Sequence, residues 1–340
     1  MRRTFWQACA VGMMGLLGAG LLPVAPPTAR AAEPNAPTSR PARKVVIGLV
    51  AKSQANAVFQ AAYAGAKDAA RELGPKYGVE VVIDWQTPSQ EDAQKQAEAI
   101  EQLARGGAAG IAVSCSDAGT LTPAIDKAVG LGVPVICFDS AAPKSKRMCY
   151  YGTDDEVCGQ KVMAELAEQM GNKGTIAILA GNQTAPNLQH RVQGVLAELK
   201  KHPDMHLIED GVYYHEETPE KAAEAVTAAQ RTHPEIQGWA MIGGWPLFTR
   251  DALKWPPGTV KVVSVDALPP QLSYLESGHV QVLYAQDCYG WGYRSVEILL
   301  DKVVKNKAPE STRIIDPLKR VTRENAAEFR SMWDKWLKKS

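Results

Sequence analysis

The chain has 340 residues, 45% hydrophobic and 22% charged, which is length and apolar content enough for two globular domains. Its formal net charge is +1, which excludes the broad basic field that holds nucleic acid or an anionic membrane by charge alone. Recognition is therefore local, in a pocket or patch.

The first element in chain order is an export signal. Met1, Arg2 and Arg3 give a positive start, residues 8–22 are apolar, and Ala29-Arg30-Ala31 offers small residues where a signal peptidase cuts. A signal peptide over residues 1–31, cleaved near Ala31, implies export. Internal glycines and the prolines Pro23, Pro26 and Pro27 argue against a membrane anchor. Arg2-Arg3-Thr4-Phe5 partly matches a twin-arginine signal. Cys9 stands at the start of the apolar run rather than after it, which argues against a lipid anchor. Residues 32–43 are Pro-rich and polar and read as a disordered tether.

Strands and helices then alternate. Strands are predicted at 44–50, 79–84, 110–113 and 133–138, with helices at 55–73, 90–105 and 121–131 between them. Gly74-Pro75 reads as a helix stop. The pattern restarts with strands at 148–152, 174–179, 206–212, 238–242, 260–265 and 279–285. The intervening helices fall at 156–170, 187–200, 219–232, 246–253 and 269–277, and a long helix follows at 290–304. Trp333, Trp336 and Leu337 share one face of a C-terminal helix, with Lys335, Lys338 and Lys339 as its solvated face. The strands are unbroken apolar runs, as in parallel sheets covered on both faces. Two successive sets of β-α units predict an α/β fold with two doubly wound parallel-sheet lobes.

Five cysteines follow the signal: Cys115, Cys137, Cys149, Cys158 and Cys288. None has metal or redox C-x-x-C spacing, and no cofactor motif or metal-ligand pattern is present. Cys149–Cys158 and Cys115–Cys137 are candidate bridges, and the odd number leaves at least one thiol unpaired.

Ligands of doubly wound sheets bind beyond the carboxyl ends of the strands. There the sequence places Asn56, Phe59, Asp139, Arg191, Trp245, Asp266 and Gln286. Carboxylates, amides and a guanidinium pair with the donating and accepting hydroxyls of a polyol, and rings pack on sugar C–H faces. A phosphate would call for more cations or a glycine-rich cradle. Three of them also have a plainer reading: Asp139 as a helix N-cap, Phe59 as core, Arg191 as a solvated helix residue. Asp117 reads as an N-cap. Trp245, after two glycines and before a proline, reads as an exposed turn residue facing the ligand.

These residues carry a resemblance. The chain resembles the periplasmic sugar-binding proteins of the ribose-binding type, the substrate-binding components of ABC sugar importers with the type I periplasmic binding protein fold. The likeness spans Lys44 to about Ile315. It rests on Ile47-Gly48-Leu49-Val50 with Asn56 and Phe59, on residues 132–139, on Gly152-Thr153-Asp154, on Arg191 with Gly194, on residues 263–266 and on Ala285-Gln286. It implies ligand contacts at Asn56, Phe59, Asp139, Arg191, Asp266 and Gln286. Departures are Ser140 where many relatives have arginine, Trp245-Pro246 in place of an Asn-Asp pair, and Val58 in place of an aromatic; they point to a different sugar or related polar solute.

The resemblance further implies three crossings between lobes, near 153–154, 286–288 and 312–314. The N-terminal lobe is then 44–153 plus 287–312, and the C-terminal lobe 154–286 plus 313–340. The implied function is capture of a small sugar-like polyol by hinge closure and delivery to ABC importer membrane subunits, by a monomer, with no nucleic acid partner, no cofactor and no catalytic residue. The alternatives are a periplasmic sensor presenting a sugar to a membrane receptor, and a carbohydrate-active enzyme using Asp139 and Asp266.

Overall fold

A computed structural model describes residues 43–338. The signal peptide expected over 1–31 and the tether as far as residue 42 lie outside the described residues. Arg43, expected in the tether, opens the first strand.

The first half runs β1 (Arg43–Val50), α1 (Ala57–Tyr77), β2 (Val79–Trp85), α2 (Ala93–Arg105), β3 (Gly110–Val113), α3 (Ala118–Gly130), β4 (Val135–Phe138) and β5 (Cys149–Gly152). The second runs α4 (Asp155–Gln169), β6 (Gly174–Gly181), α5 (Pro186–Leu199), β7 (Met205–Tyr214), α6 (Pro219–Thr232), β8 (Gly238–Met241), β9 (Lys261–Val265), α7 (Pro269–Ser277) and β10 (Val282–Ala285). There follow α8 (Cys288–Lys305), β11 (Arg313–Ile315), β12 (Lys319–Val321) and α9 (Ala326–Lys338).

The strands form two six-stranded sheets, ordered β2-β1-β3-β4-β5-β11 and β7-β6-β8-β9-β10-β12. Every pairing is parallel except β10 with β12. Both sheets reverse strand order beside their first strand, between β1 and β3 and between β6 and β8, so each has a switch point with a crevice at its carboxyl edge. β3, β4, β8 and β10 are buried along their whole length, as a sheet covered on both faces requires.

The chain passes between the sheets at three places. α4 leaves the end of β5 and packs on β8 and β9; α8 leaves the end of β10 and packs on α1, β3 and β4. β11 pairs with β5, so the third passage comes after Ile315, later than the 312–314 expected. Both short strands, β11 and β12, escaped the sequence reading because three residues carry no periodicity. α9 belongs to neither sheet alone. Trp333 is buried in the core of the first sheet and Phe329 in that of the second, and Trp336 stacks on Tyr289 with centroids 5.1 Å apart.

Two helix pairs approach closely enough to require glycine. A Cβ on Gly292 of α8 would lie 1.7 Å from the Ala62 carbonyl oxygen, and one on Gly65 of α1 would lie 2.0 Å from that of Tyr289. α4 and α5 repeat the device, with Gly159 against the Arg191 carbonyl and Gly194 against that of Glu156. Gly292→Ala is expected to cost at least about 1–3 kcal/mol, as overpacking does, because backbone rather than a flexible side chain meets the methyl. Urea unfolding measures it, and an unchanged midpoint would contradict the contact.

Two helix ends differ from expectation. α1 continues through Gly74-Pro75 to Tyr77, since Pro75 falls in the last turn and Gly78, at φ 67°, supplies the left-handed cap. The helix expected at 246–253 is one 3-10 turn, Trp245–Phe248, ended by the extended backbone of Thr249 at φ −99°, ψ 160°. The five described cysteines are all free and buried. Cys115 and Cys137 lie 3.9 Å apart as thiols, while Cys149 and Cys158 sit in separate cores.

Candidate functional site

The carboxyl edges of the two sheets face one another, and the polar residues beyond the strands meet there. Gln96, fully buried on α2, fixes the first edge. Its Nε2 donates to the carbonyls of Ala51 (2.8 Å) and Ser114 (2.7 Å), and its Oε1 accepts from Ser116 N (3.0 Å). The ends of β1 and β3 are thus tied together, and Lys52 and Ser114 are held at the switch point.

Asp139 follows β4 at φ 56° and Asp266 follows β9 at φ 68°. These strands occupy the same place in the two sheets. Left-handed backbone is uncommon outside glycine, and aspartate is among the residues that tolerate it. No helix begins at Asp139, so the N-cap reading does not apply there; Asp117 does cap α3, accepting from Thr120 N at 2.6 Å. Asp139 accepts from Ser114 Oγ (2.7 Å) and from Asn187 Nδ2 (3.2 Å). Asn187 Oδ1 in turn accepts from Lys52 Nζ (3.4 Å), which also lies 3.5 Å from Glu217 Oε1. Asn187 and Glu217 extend from the second sheet, so this chain of contacts crosses from one edge to the other. Asn182 Nδ2 donates to Glu91 Oε1 (3.1 Å) in a further crossing contact.

Deeper in, Arg191 is a buried hub rather than a solvated helix residue. Nε donates to Asp155 Oδ1 (2.9 Å), NH1 to the Ile242 carbonyl (3.1 Å) and NH2 to Gln286 Oε1 (2.8 Å). Gln286 also accepts from Thr153 Oγ1 (3.0 Å) and donates to Asp266 Oδ1 (2.9 Å). Arg191 and Gln286 thus link residues at two of the passages between sheets.

A cavity of about 630 Å³ lies outside Lys52, with Asn56, Phe59, Glu91, Asn182, His215 and Glu217 among its lining. Asn56 both caps α1, accepting from Val58 N at 3.2 Å, and lines the cavity. Phe59 is 3% exposed and joins the core near Trp291 while presenting to the same cavity. A second cavity of about 370 Å³ opens beyond Asn187, Asp155, Tyr150 and Arg147. Asp139, Asp266, Arg191 and Gln286 occupy the buried polar cluster rather than either cavity wall.

Trp245 is not the exposed turn residue expected. It is 5% exposed and its ring fills the space left by two glycines: a Cβ on Gly243 would lie 2.3 Å from it and one on Gly181 2.6 Å. It meets His215 edge-on at 5.0 Å and so backs the cavity wall from inside. Gly243 and Gly181 serve ring packing rather than exposure, while Gly244 faces Gln271.

The sequence reading passed over Lys52, Asn187, Asp155, Glu91 and Glu217. Lys52 stood in plain view two residues beyond β1. Asn187 opens α5 just after Pro186, and Asp155 adjoins the cap Asp154. Glu217 lies three residues beyond the end of β7.

Burial pushes the Asp155 carboxyl up to about 7, with Arg191 opposing and Asp139 adding repulsion. Burial raises Asp266 as well, against Gln286 and Arg191. Lys52 and Glu217 do not shift as a simple ion pair. Burial pulls the Lys52 ammonium down, but Glu217, Glu91 and Asp139 together outweigh it and hold its pKa above normal. Glu217 is nonetheless raised to about 7, because burial and the repulsion of Glu91 and Asp139 exceed what Lys52 returns at 3.5 Å. Lys52 has three carboxylates for company; Glu217 has one cation.

A carboxyl raised from about 4 in the unfolded chain to about 7 makes the folded state bind more protons between those values. Its contribution is present below about pH 4 and lost as pH rises through about 7. Stability of the parent is expected to fall between about pH 5.5 and pH 8 more steeply than that of Glu217→Gln. Urea unfolding at both pH values checks this; equal pH slopes would contradict it.

The family model for the periplasmic binding protein domain matches residues 47–307. The chain belongs to this family. Among curated relatives it is 25% identical over 152 residues to the ribose import binding protein of Bacillus subtilis, covering 45% of this chain and 48% of that protein. It is 27% identical over 164 residues to the D-apiose import binding protein of Actinobacillus succinogenes, covering 48% and 51%. Each match thus spans about half of the relative's length. A solute-binding protein of an ABC transporter from Burkholderia graminis, solved with D-arabinose, superposes with a TM-score of 0.75 at 24% identity, over 84% of this chain and 98% of that one. That likeness fixes the fold as the two-lobed periplasmic binding protein architecture. No helix among the described residues is long and apolar enough to cross a membrane.

Proposed function

We propose that this periplasmic binding protein is exported, captures a small sugar or sugar-like polyol between its two sheets, and delivers it to the membrane subunits of an ABC importer. The observation that carries this is the meeting of the two carboxyl edges, where Asp139 and Lys52 from one contact Asn187 and Glu217 from the other. A solute held there touches both edges only when they are together, so it selects the closed arrangement by differential affinity. The first lobe is residues 44–153 with 287–315, the second 154–286 with 316–321, and α9 lies against both. Opening and closing turn on the three passages between them. The charged grip is the buried cluster behind the cavity, Asp139, Arg191 and Asp266 with Gln286 linking the last two, which the solute reaches when the lobes open; Asn56 and Phe59 lie toward the cavity, and Trp245 behind its wall. The protein acts as a monomer, without catalysis, cofactor or nucleic acid, after loss of its signal near Ala31. Relatives named for ribose and D-apiose import support a sugar-sized solute.

The test is a thermal-shift panel of pentoses, hexoses, sugar alcohols and furanose signalling molecules. A bound solute stabilises the fold by about 2.7 kcal/mol at a hundredfold excess over Kd. A panel in which no member moves the melting temperature would contradict the reading.

A further inference from the structure

We propose that the solute is a polyol bearing an amine, an amino sugar or aminocyclitol, whose ammonium group sits against Glu217 and Glu91. This rests on capture in the cleft and narrows it to a cationic class. The 630 Å³ cavity is lined by three carboxylates, Glu91, Glu216 and Glu217, and by one ammonium, Lys52. Lys52 is already engaged by Glu217 and Asn187. No arginine is among the described residues lining this cavity.

His215 adds a further acceptor. Its Nδ1–H donates to the Glu216 carbonyl, which leaves Nε2 as the lone-pair nitrogen. Nε2 is buried and has no hydrogen-bond partner among the described residues, and His215 lines the cavity. Burial also lowers the His215 pKa, outweighing the carbonyl contact, which keeps the ring neutral. The wall is therefore rich in acceptors. A sugar hydroxyl donates one proton and brings no charge, whereas an ammonium donates three and accepts none. An anionic solute would meet carboxylates instead. The amides Asn56, Gln90, Asn182 and Gln183 and the ring of Phe59 serve the polyol frame. Burial, with the repulsion of Glu91 and Asp139, raises Glu217 to about 7 against the pull of Lys52, and a ligand cation beside it would favour its charged form.

The experiment is calorimetric titration of the mature chain near neutral pH with hexosamines and aminocyclitols, each beside its neutral parent polyol. The amine is expected to bind at least about tenfold more tightly than its parent, as a charge-assisted hydrogen bond provides. Glu217→Gln and Glu91→Gln are each expected to shrink that ratio, with the parent polyol titrated on the same variant as its reference. If Glu217→Gln does not fold, Glu91→Gln carries the comparison. A neutral polyol binding as tightly as its amine overturns this inference and leaves solute capture standing. Failure of every polyol, amine or neutral, to bind the parent chain overturns capture in the cleft and this inference with it.

Discussion

Arg191→Met is expected to cost about 3–5 kcal/mol of stability at about pH 8, the penalty for stripping the partner from a buried charge. Methionine fills much of the volume but returns none of the three hydrogen bonds. Asp155 is left buried without its cation, and the Ile242 carbonyl and Gln286 Oε1 each lose a donor. The sign of the pH dependence follows from Asp155. Its carboxyl already takes up a proton near 7 beside the guanidinium, and without Arg191 it does so at higher pH. Protonation removes the unpaired charge, so the defect shrinks toward about pH 5. Arg191→Lys is expected to fall between parent and Arg191→Met, because a lysine cannot reach three acceptors with a planar fork. Urea unfolding at the two pH values measures all three; a parent-like midpoint for Arg191→Met would show that the hub does not hold the second lobe.

Asp139→Asn carries the largest expected effect on binding. Asparagine tolerates the left-handed backbone that Asp139 adopts and keeps its shape, so melting of the empty protein is expected to move little. The affinity for the solute is expected to fall by about tenfold to a few hundredfold, the worth of one hydrogen bond to a charged group. Alanine is the poorer test, because it adds backbone strain at φ 56° to the loss of charge. Titration beside thermal melts separates affinity from stability. Undiminished affinity in Asp139→Asn would remove this residue from the grip.

The alternation of apolar strands and amphipathic helices was legible in the sequence because both sheets are covered on each face, which makes their strands continuous apolar runs. The three-residue strands β11 and β12 were not, since their pairing is set by neighbours distant in the chain. Strand ends pointed to Asp139, Asp266 and Gln286; the structure bonds Asp266 through Gln286 to Arg191 and sets Asp139 in a neighbouring chain with Ser114 and Asn187. Lys52, Asn187 and Glu217 were legible as residue types but not as a group, because only the approach of two edges brings residues 52, 187 and 217 together. Trp245 shows the limit of local reading. Two glycines before an aromatic signalled an exposed turn, yet Gly243, with the distant Gly181, makes room for the indole itself, and Gly244 faces Gln271.

Closure on a solute is the centre of this account, and small-angle scattering tests it most directly. The mature chain is measured alone and saturated with the polyol that gives the largest thermal shift. Solute bridging the two edges predicts a smaller radius of gyration when bound, as hinge closure gives. An unchanged radius at saturation, with binding confirmed by titration of the same sample, would contradict capture by closure.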